Sequence, residues 1–150
     1  MQTYIIDGNN LIGKINKLFA VQKTNPQNSR EQLVHIIDRY FARKKQKVSL
    51  HFDGFPGLGI KLNKGKIYYS RSKTADFEIK QEIERANNPR LITVVTSDHE
   101  IQNFAKVCGC KIIKSESFKN LLFENEDSNT EEEIEKTISN DEMKKLFGVE

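Results

Sequence analysis

Cysteine is nearly absent: there are two residues, Cys108 and Cys110, arranged as Cys-Gly-Cys. That is too few for a zinc ribbon and the wrong spacing for a Cys-x-x-Cys metal or redox motif, so both are expected to be ordinary buried thiols. The three histidines offer no paired set for zinc. His35 falls in a helical pattern and His51 in a strand, where packing roles are expected; His99, beside Asp98, could lie near a site. No apolar run approaches the roughly 20 residues that span a bilayer, which excludes an integral helical membrane protein. The first strand begins almost at Met1, with no basic segment, apolar core or cleavage site ahead of it, so a cytoplasmic protein is expected. Internal repeats and low-complexity segments are missing as well.

What is present suits one ordinary domain: 150 residues, 37% hydrophobic and 30% charged, enough to bury a core without disulfide staples. The net charge of +3 hides a division along the chain. Residues 1–123 hold 21 Lys and Arg against 11 Asp and Glu, a balance of +10, whereas residues 124–150 hold 3 against 10, a balance of −7. A body this basic suits a polyanionic partner, because phosphate contacts dominate nucleic-acid affinity. A merely soluble, lysine-rich surface is the alternative.

Thr3 to Asn10 reads as a strand buried on both faces that ends in Asp7-Gly8-Asn9-Asn10. Gly8 allows a close approach, and Asn10 can cap a helix carrying Leu11, Ile12, Ile15 and Leu18. Gln22 to Asn28 reads as a loop. Ser29-Arg30-Glu31-Gln32 is a capping-box pattern that opens a helix running to about Lys44. A second strand, Val48 to Phe52, ends in Asp53-Gly54. The next interval, with Lys61, Lys64 and Lys66, has no helical period, so the strand at Ile67 to Tyr69 is expected at an edge, an antiparallel pairing being open to it. That interval is either a surface hairpin or a flexible basic loop offering cations to phosphates and Phe55 to a base. Thr74 is placed to cap a helix with Ala75, Ile79 and Ile83 buried and Asp76 in its first turn. Leu91 to Ser97 is another buried strand, followed by Asp98. Ser97-Asp98-His99-Glu100 opens a helix that Gly109 ends. A short strand, Cys110 to Lys114, and a closing helix complete the body at residue 123. Residues 124–150 are expected to be an acidic linker and a helical tail with Ile134, Ile138, Met143, Leu146 and Phe147 on one face. Docking on the body, binding a partner, shielding the basic surface and plain solvation are all open to it.

Asp7, Asp53, Asp76 and Asp98 each fall at a strand end or helix start, positions that converge on one edge of a doubly wound sheet. Carboxylates gathered there repel one another unless a cation or protons intervene. Mg²⁺ or Mn²⁺ suits hard oxygen donors, and the chemistry it would support is phosphodiester hydrolysis. Ile5-Ile6-Asp7-Gly8-Asn9-Asn10-Leu11-Ile12-Gly13, Thr74-Ala75-Asp76 and Val94-Val95-Thr96-Ser97-Asp98 resemble, in order and spacing, the NYN domain, a PIN-like nuclease family, and its YacP-like branch in particular. The resemblance spans roughly residues 3–123. It implies a PIN-like three-layer α/β/α fold with a central, mainly parallel sheet of about five strands, and a metal-dependent endoribonuclease. The implied metal ligands and catalytic residues are Asp7, Asp76 and Asp98, with Asp53 as a further ligand. Asn10 and Ser97 would orient ligands or phosphate, while Lys61, Lys64, Arg71 and Lys73 would contact RNA. Messenger and ribosome-associated RNA are the substrates to consider; no membrane partner is implied, and the oligomeric state is left open. Members of this branch often carry a second acid after the helix-start aspartate, and here that position is Phe77. Either metal binding is weaker, or Glu78 or Asp53 supplies the charge.

A different class fits the same residues: an RNA-binding or scaffold protein that keeps the fold without turnover, for which Phe77 is the main argument. A phosphoacceptor receiver domain is disfavoured, because the first strand lacks paired acids and no helix separates the second and third strands.

Overall fold

The computed structural model describes residues 1–124. Met1–Lys119 form one compact unit; a second begins at Asn120, of which residues 120–124 are described and helical. The helix expected in the acidic tail lies outside the described residues.

Five strands, β1 (Thr3–Asp7), β2 (Lys47–Phe52), β3 (Gly65–Tyr69), β4 (Ile92–Val95) and β5 (Lys111–Ile113), form one sheet in the order β3-β2-β1-β4-β5. Every neighbouring pair is parallel. The opening strand is the central one, and its Ile5 and Ile6 are fully buried. Such burial stabilises by about 1.5–3 kcal/mol per large aliphatic side chain. On one face, Ile79 and Ile83 of α4 (Ala75–Arg85) and Ile101 and Ala105 of α5 (His99–Cys108) pack with Ile5 and Val94. Tyr4 points the opposite way, as strand alternation requires. Its ring lies 5.1 Å from Phe41, which ends α3 (Pro26–Phe41), and 5.9 Å from Phe118 of α6 (residues 115–124). The short α1 (Gly8–Ile12) and α2 (Asn16–Thr24) lie against α3, giving the expected three layers.

Five local expectations change. The first helix is two helices: Lys14 and Ile15 donate to the carbonyls of Leu11 and Ile12 at 2.9 and 3.1 Å, tight turns that close α1. Leu11, Ile12, Ile15 and Leu18 are nonetheless all buried. Asn10 lies inside α1 rather than capping it. The third helix starts at Pro26, not Ser29, because Asn25 accepts from the Asn28 N–H at 3.1 Å and proline fits a first helical turn; the loop expected before it shrinks to Asn25. Strand β3 is an edge strand, but parallel to β2. About a dozen residues suffice for a parallel crossover without a helix, and α3 pins that run through Arg30 to the Asp53 and Phe55 carbonyls and Gln27 to the Leu58 carbonyl. Finally, α5 is capped by Asp98 instead of Ser97. Thr74 caps α4 as expected, and Gly109 ends α5 with φ 95°, a left-handed conformation suited to glycine. Cys110 is buried and Cys108 half-buried, both as free thiols.

Candidate active site

The parallel sheet puts the ends of β1, β2 and β4 on one edge, with the reversal of strand order between β1 and β4, the position where open α/β sheets bind ligands. Strand alternation then decides which side chains meet. On the face covered by α4 and α5, β1 presents Ile5 and then Asp7, β2 presents Ser49 and His51, and β4 presents Ile92 and Val94. Each row is thus continued at the edge by a polar group: Asp7, Asp53 and Thr96.

Asp7 is 7% exposed and accepts from the Thr96 hydroxyl at 3.0 Å. Burial pushes its carboxyl up from 3.8 to about 6; hydrogen bonds from Thr96 and the Asn10 backbone oppose the rise, and the negative charges of Asp53 and Asp98 add to it. Gly8 must follow, because a Cβ there would lie 2.7 Å from both the His51 carbonyl and the Phe52 ring. The two asparagines then reach opposite ways from the central strand. Asn9 accepts from the Asp53 N–H at 2.8 Å, while Asn10 accepts from the Ser97 N–H at 2.9 Å and the Ser115 hydroxyl at 2.6 Å. One dipeptide therefore fastens the ends of β2 and β4 and the start of α6.

The other aspartates have divided duties. Asp98 accepts from the Glu100 and Ile101 N–H groups at 2.9 and 3.0 Å. Asp53 accepts from the Ala75 N–H at 2.8 Å, fixing the start of α4. Asp76, in the first turn of α4, lies 3.5 Å from Lys80 through Oδ2, while its Oδ1 is buried without a hydrogen-bond partner. The charges of Asp53 and Asp98 both act on Asp7, whereas Asp76 is tied to this group only in that the N–H of the preceding Ala75 donates to Asp53. Ser97 donates to the Glu116 carboxylate, which that bond holds below the ordinary range, and accepts from the Ser115 N–H at 3.0 Å.

The predicted basic residues separate. Arg71 and Lys73, between β3 and α4, belong to the carboxylate edge. Lys64 immediately precedes β3 at the strand-start edge, where its ammonium donates to the Lys44 carbonyl at 2.9 Å; Lys61 is exposed on the same crossover. His99 is exposed at the start of α5, and His51 is packed as expected, buried and stacked on Tyr68 with ring centres 5.0 Å apart, and is also hydrogen-bonded to Glu82 at 2.7 Å. Thr96 could have been found from the sequence, being the first polar residue after the apolar end of β4 and two residues before Asp98. Asn9, Ser115 and Glu116 carried no such signal, because their partners depend on strand order.

Among the described residues, no three Asp, Glu, His or Cys side chains converge to hold one ion. A dry cage of three carboxylates is not what this edge offers. Hard oxygen donors around a buried acid, and the unpartnered Oδ1 of Asp76, do fit a hydrated Mg²⁺ or Mn²⁺, which takes one or two carboxylates and keeps waters that phosphate oxygens can replace.

No curated protein matches the sequence. The crystal structure of Rae1 (YacP) from Bacillus subtilis is similar with a TM-score of 0.73 at 22% identity, covering 97% of this chain and 87% of that one. The crystal structure of its W164L mutant gives 0.72 at 20%, covering 97% and 89%. These likenesses establish a shared fold, a central parallel sheet between helices. The family described as the YacP-like NYN domain matches residues 4–147, nearly the whole length, and it is to this family that the chain belongs.

Proposed function

We propose that the protein is a metal-dependent endoribonuclease that hydrolyses RNA phosphodiester bonds at the edge formed by Asp7, Asp76 and Asp98. The observation that carries this reading is Asp7 itself, a buried acid at the end of the central strand whose charge is opposed by burial and by two further aspartates. Asp7, Asp98 and Asp76 would hold a Mg²⁺ or Mn²⁺ ion directly or through water, with Asp53 near enough to contribute charge. Such an ion, when bound, activates water and offsets charge on the phosphate. Thr96 orients the Asp7 carboxylate, and Asn10 fixes the backbone of Ser97 and the hydroxyl of Ser115. Arg71 and Lys73 are available to phosphates on the same edge; Lys64 is committed elsewhere. Membership in a family of nuclease-type fold supports the same substrate class.

Incubating the purified full chain with end-labelled RNA, with Mg²⁺ or Mn²⁺ and then with EDTA, tests the reading. Internal cleavage that needs the metal is expected, falling at least 100-fold in Asp98→Asn, a loss of the size seen when electrostatic stabilisation is removed. Metal-loaded wild type that leaves structured and unstructured RNAs intact would sink it. Phe77, together with the lack of three converging ligands among the described residues, favours a second reading, an RNA-binding protein without turnover. It expects metal-independent RNA binding that survives Asp76→Asn.

A further inference from the structure

Two aromatic rings are exposed at the carboxylate edge: Phe55 is 61% exposed and Phe77 41%. Both sit on backbone that is firmly held. Arg30 donates to the Phe55 carbonyl at 2.9 Å and to the Asp53 carbonyl at 2.6 Å, while the Phe77 N–H donates to the Thr74 hydroxyl at 3.1 Å. The segments that carry them are laced together. Ala75 donates to Asp53 at 2.8 Å, Arg71 to the Gly54 carbonyl at 2.7 Å, and Gly54 to the Ser70 hydroxyl at 2.9 Å. Each ring is thus two residues along the chain from the Asp53–Ala75 hydrogen bond, one on either segment. Besides Arg30, whose guanidinium is held by the Asp53 and Phe55 carbonyls, the corner carries Arg71, at φ 57°, and Lys73, whose ammonium lies 4.6 Å from the centre of the Phe77 ring.

We infer that Phe77 and Phe55 form a stacking platform for the bases of an unpaired RNA strand, with Lys73 and Arg71 taking its phosphates. The platform selects single-stranded over duplex RNA at the carboxylate edge. This rests on the reading of that edge as the place where RNA is cut. Exposed rings beside cations on a body of charge +10 suit a partner that offers flat π surfaces and negative charge together. A single strand does so, whereas a duplex keeps its base faces within its own stack. The ammonium resting on the Phe77 ring is the group that moves to a phosphate when a base takes the ring. On this view the phenylalanine beside Asp76 exchanges one negative charge for a contact to the substrate.

The test is binding of a fluorescein-labelled 12-nucleotide single strand and of a hairpin to the full chain in EDTA, read by anisotropy. Phe77→Ala and Phe55→Ala should each weaken single-strand binding on the order of 5- to 100-fold, the range for one stacked base, without changing the salt dependence. Lys73→Ala should lower the salt slope by about one contact. Phe77→Trp should keep affinity and, as the chain has no tryptophan, give an indole signal that RNA quenches. Single-strand affinity unchanged in both alanine variants, with their circular dichroism intact, would overturn the inference, as would equal and equally weakened hairpin binding. Ring-dependent binding without metal-dependent cleavage would uphold the platform and remove the nuclease reading; cleavage with neither binding nor KM altered by the ring variants would do the reverse.

Discussion

Replacing Asp7 by asparagine separates stability from function. In the unfolded chain the carboxyl ionises near 3.8 and in the folded protein near 6, so the folded state holds the extra proton between those values. Its contribution to stability is fully present below about pH 4, is lost as pH rises towards 6, and leaves a penalty of about 3 kcal/mol above it. Asp7→Asn should therefore stabilise the metal-free protein at pH 8 by about 1–3 kcal/mol and change it little at pH 4, while abolishing cleavage. Urea unfolding at the two pH values checks this, and a variant less stable at pH 8 than at pH 4 relative to wild type would refute it. Added Mg²⁺ should raise the melting temperature of wild type more than that of the variant, since a ligand of the folded state stabilises in proportion to its binding. The acid was legible in the sequence as a polar residue closing an apolar strand. Its neighbours were not: that Asn9 serves β2 and Asn10 serves β4 depends on β1 lying between them, which no local pattern encodes.

Helix α4 is the element on which the edge depends, because it carries Asp76 and Phe77 and is fastened in two places. Its first turn is held by Thr74 and Asp53, and its third by Glu82, which accepts from Ser49 at 2.6 Å and pairs with the buried His51 at 2.7 Å. Thr74→Ala should cost about 1 kcal/mol, the usual loss of a cap. Glu82→Ala should cost more, about 2–4 kcal/mol, since it leaves a buried histidine and a buried hydroxyl without their acceptor; equal losses in chemical denaturation would show that the pair contributes nothing beyond solvent exposure. The cap was readable from Thr74-Ala75-Asp76, as was the glycine that ends α5. The true start of α3 was obscured because Asn25-Pro26 and Ser29 to Gln32 both carry helix-start chemistry, and the serine hydroxyl turned back to the Pro26 carbonyl at 2.7 Å. Parallel pairing of β3 was hidden for another reason: the crossover has no periodicity of its own and is held by residues of α3.

At the scale of the whole molecule, protection should fall outwards from the middle of the sheet. Amides of Ile5, Ile6 and Val94, paired on central strands and fully buried, should exchange with solvent only on global unfolding, whereas those of β3 should exchange through local opening. Hydrogen exchange followed by NMR measures the difference, and a β3 as protected as β1 would contradict it. The alternating layers were foreseeable from the order of strands and helices, and the unbroken apolar run of β1 pointed to the centre of a parallel sheet; which strands flank it was not foreseeable. That placement bears on how the chain is made. Of the five strands β1 is made first, yet its two neighbours are Lys47–Phe52 and Ile92–Val95. Until residue 95 has emerged, one long edge of an apolar strand has no hydrogen-bonding mate, and truncated chains ending before that point should aggregate through it. The sheet closes late, and its earliest segment waits longest for its final company.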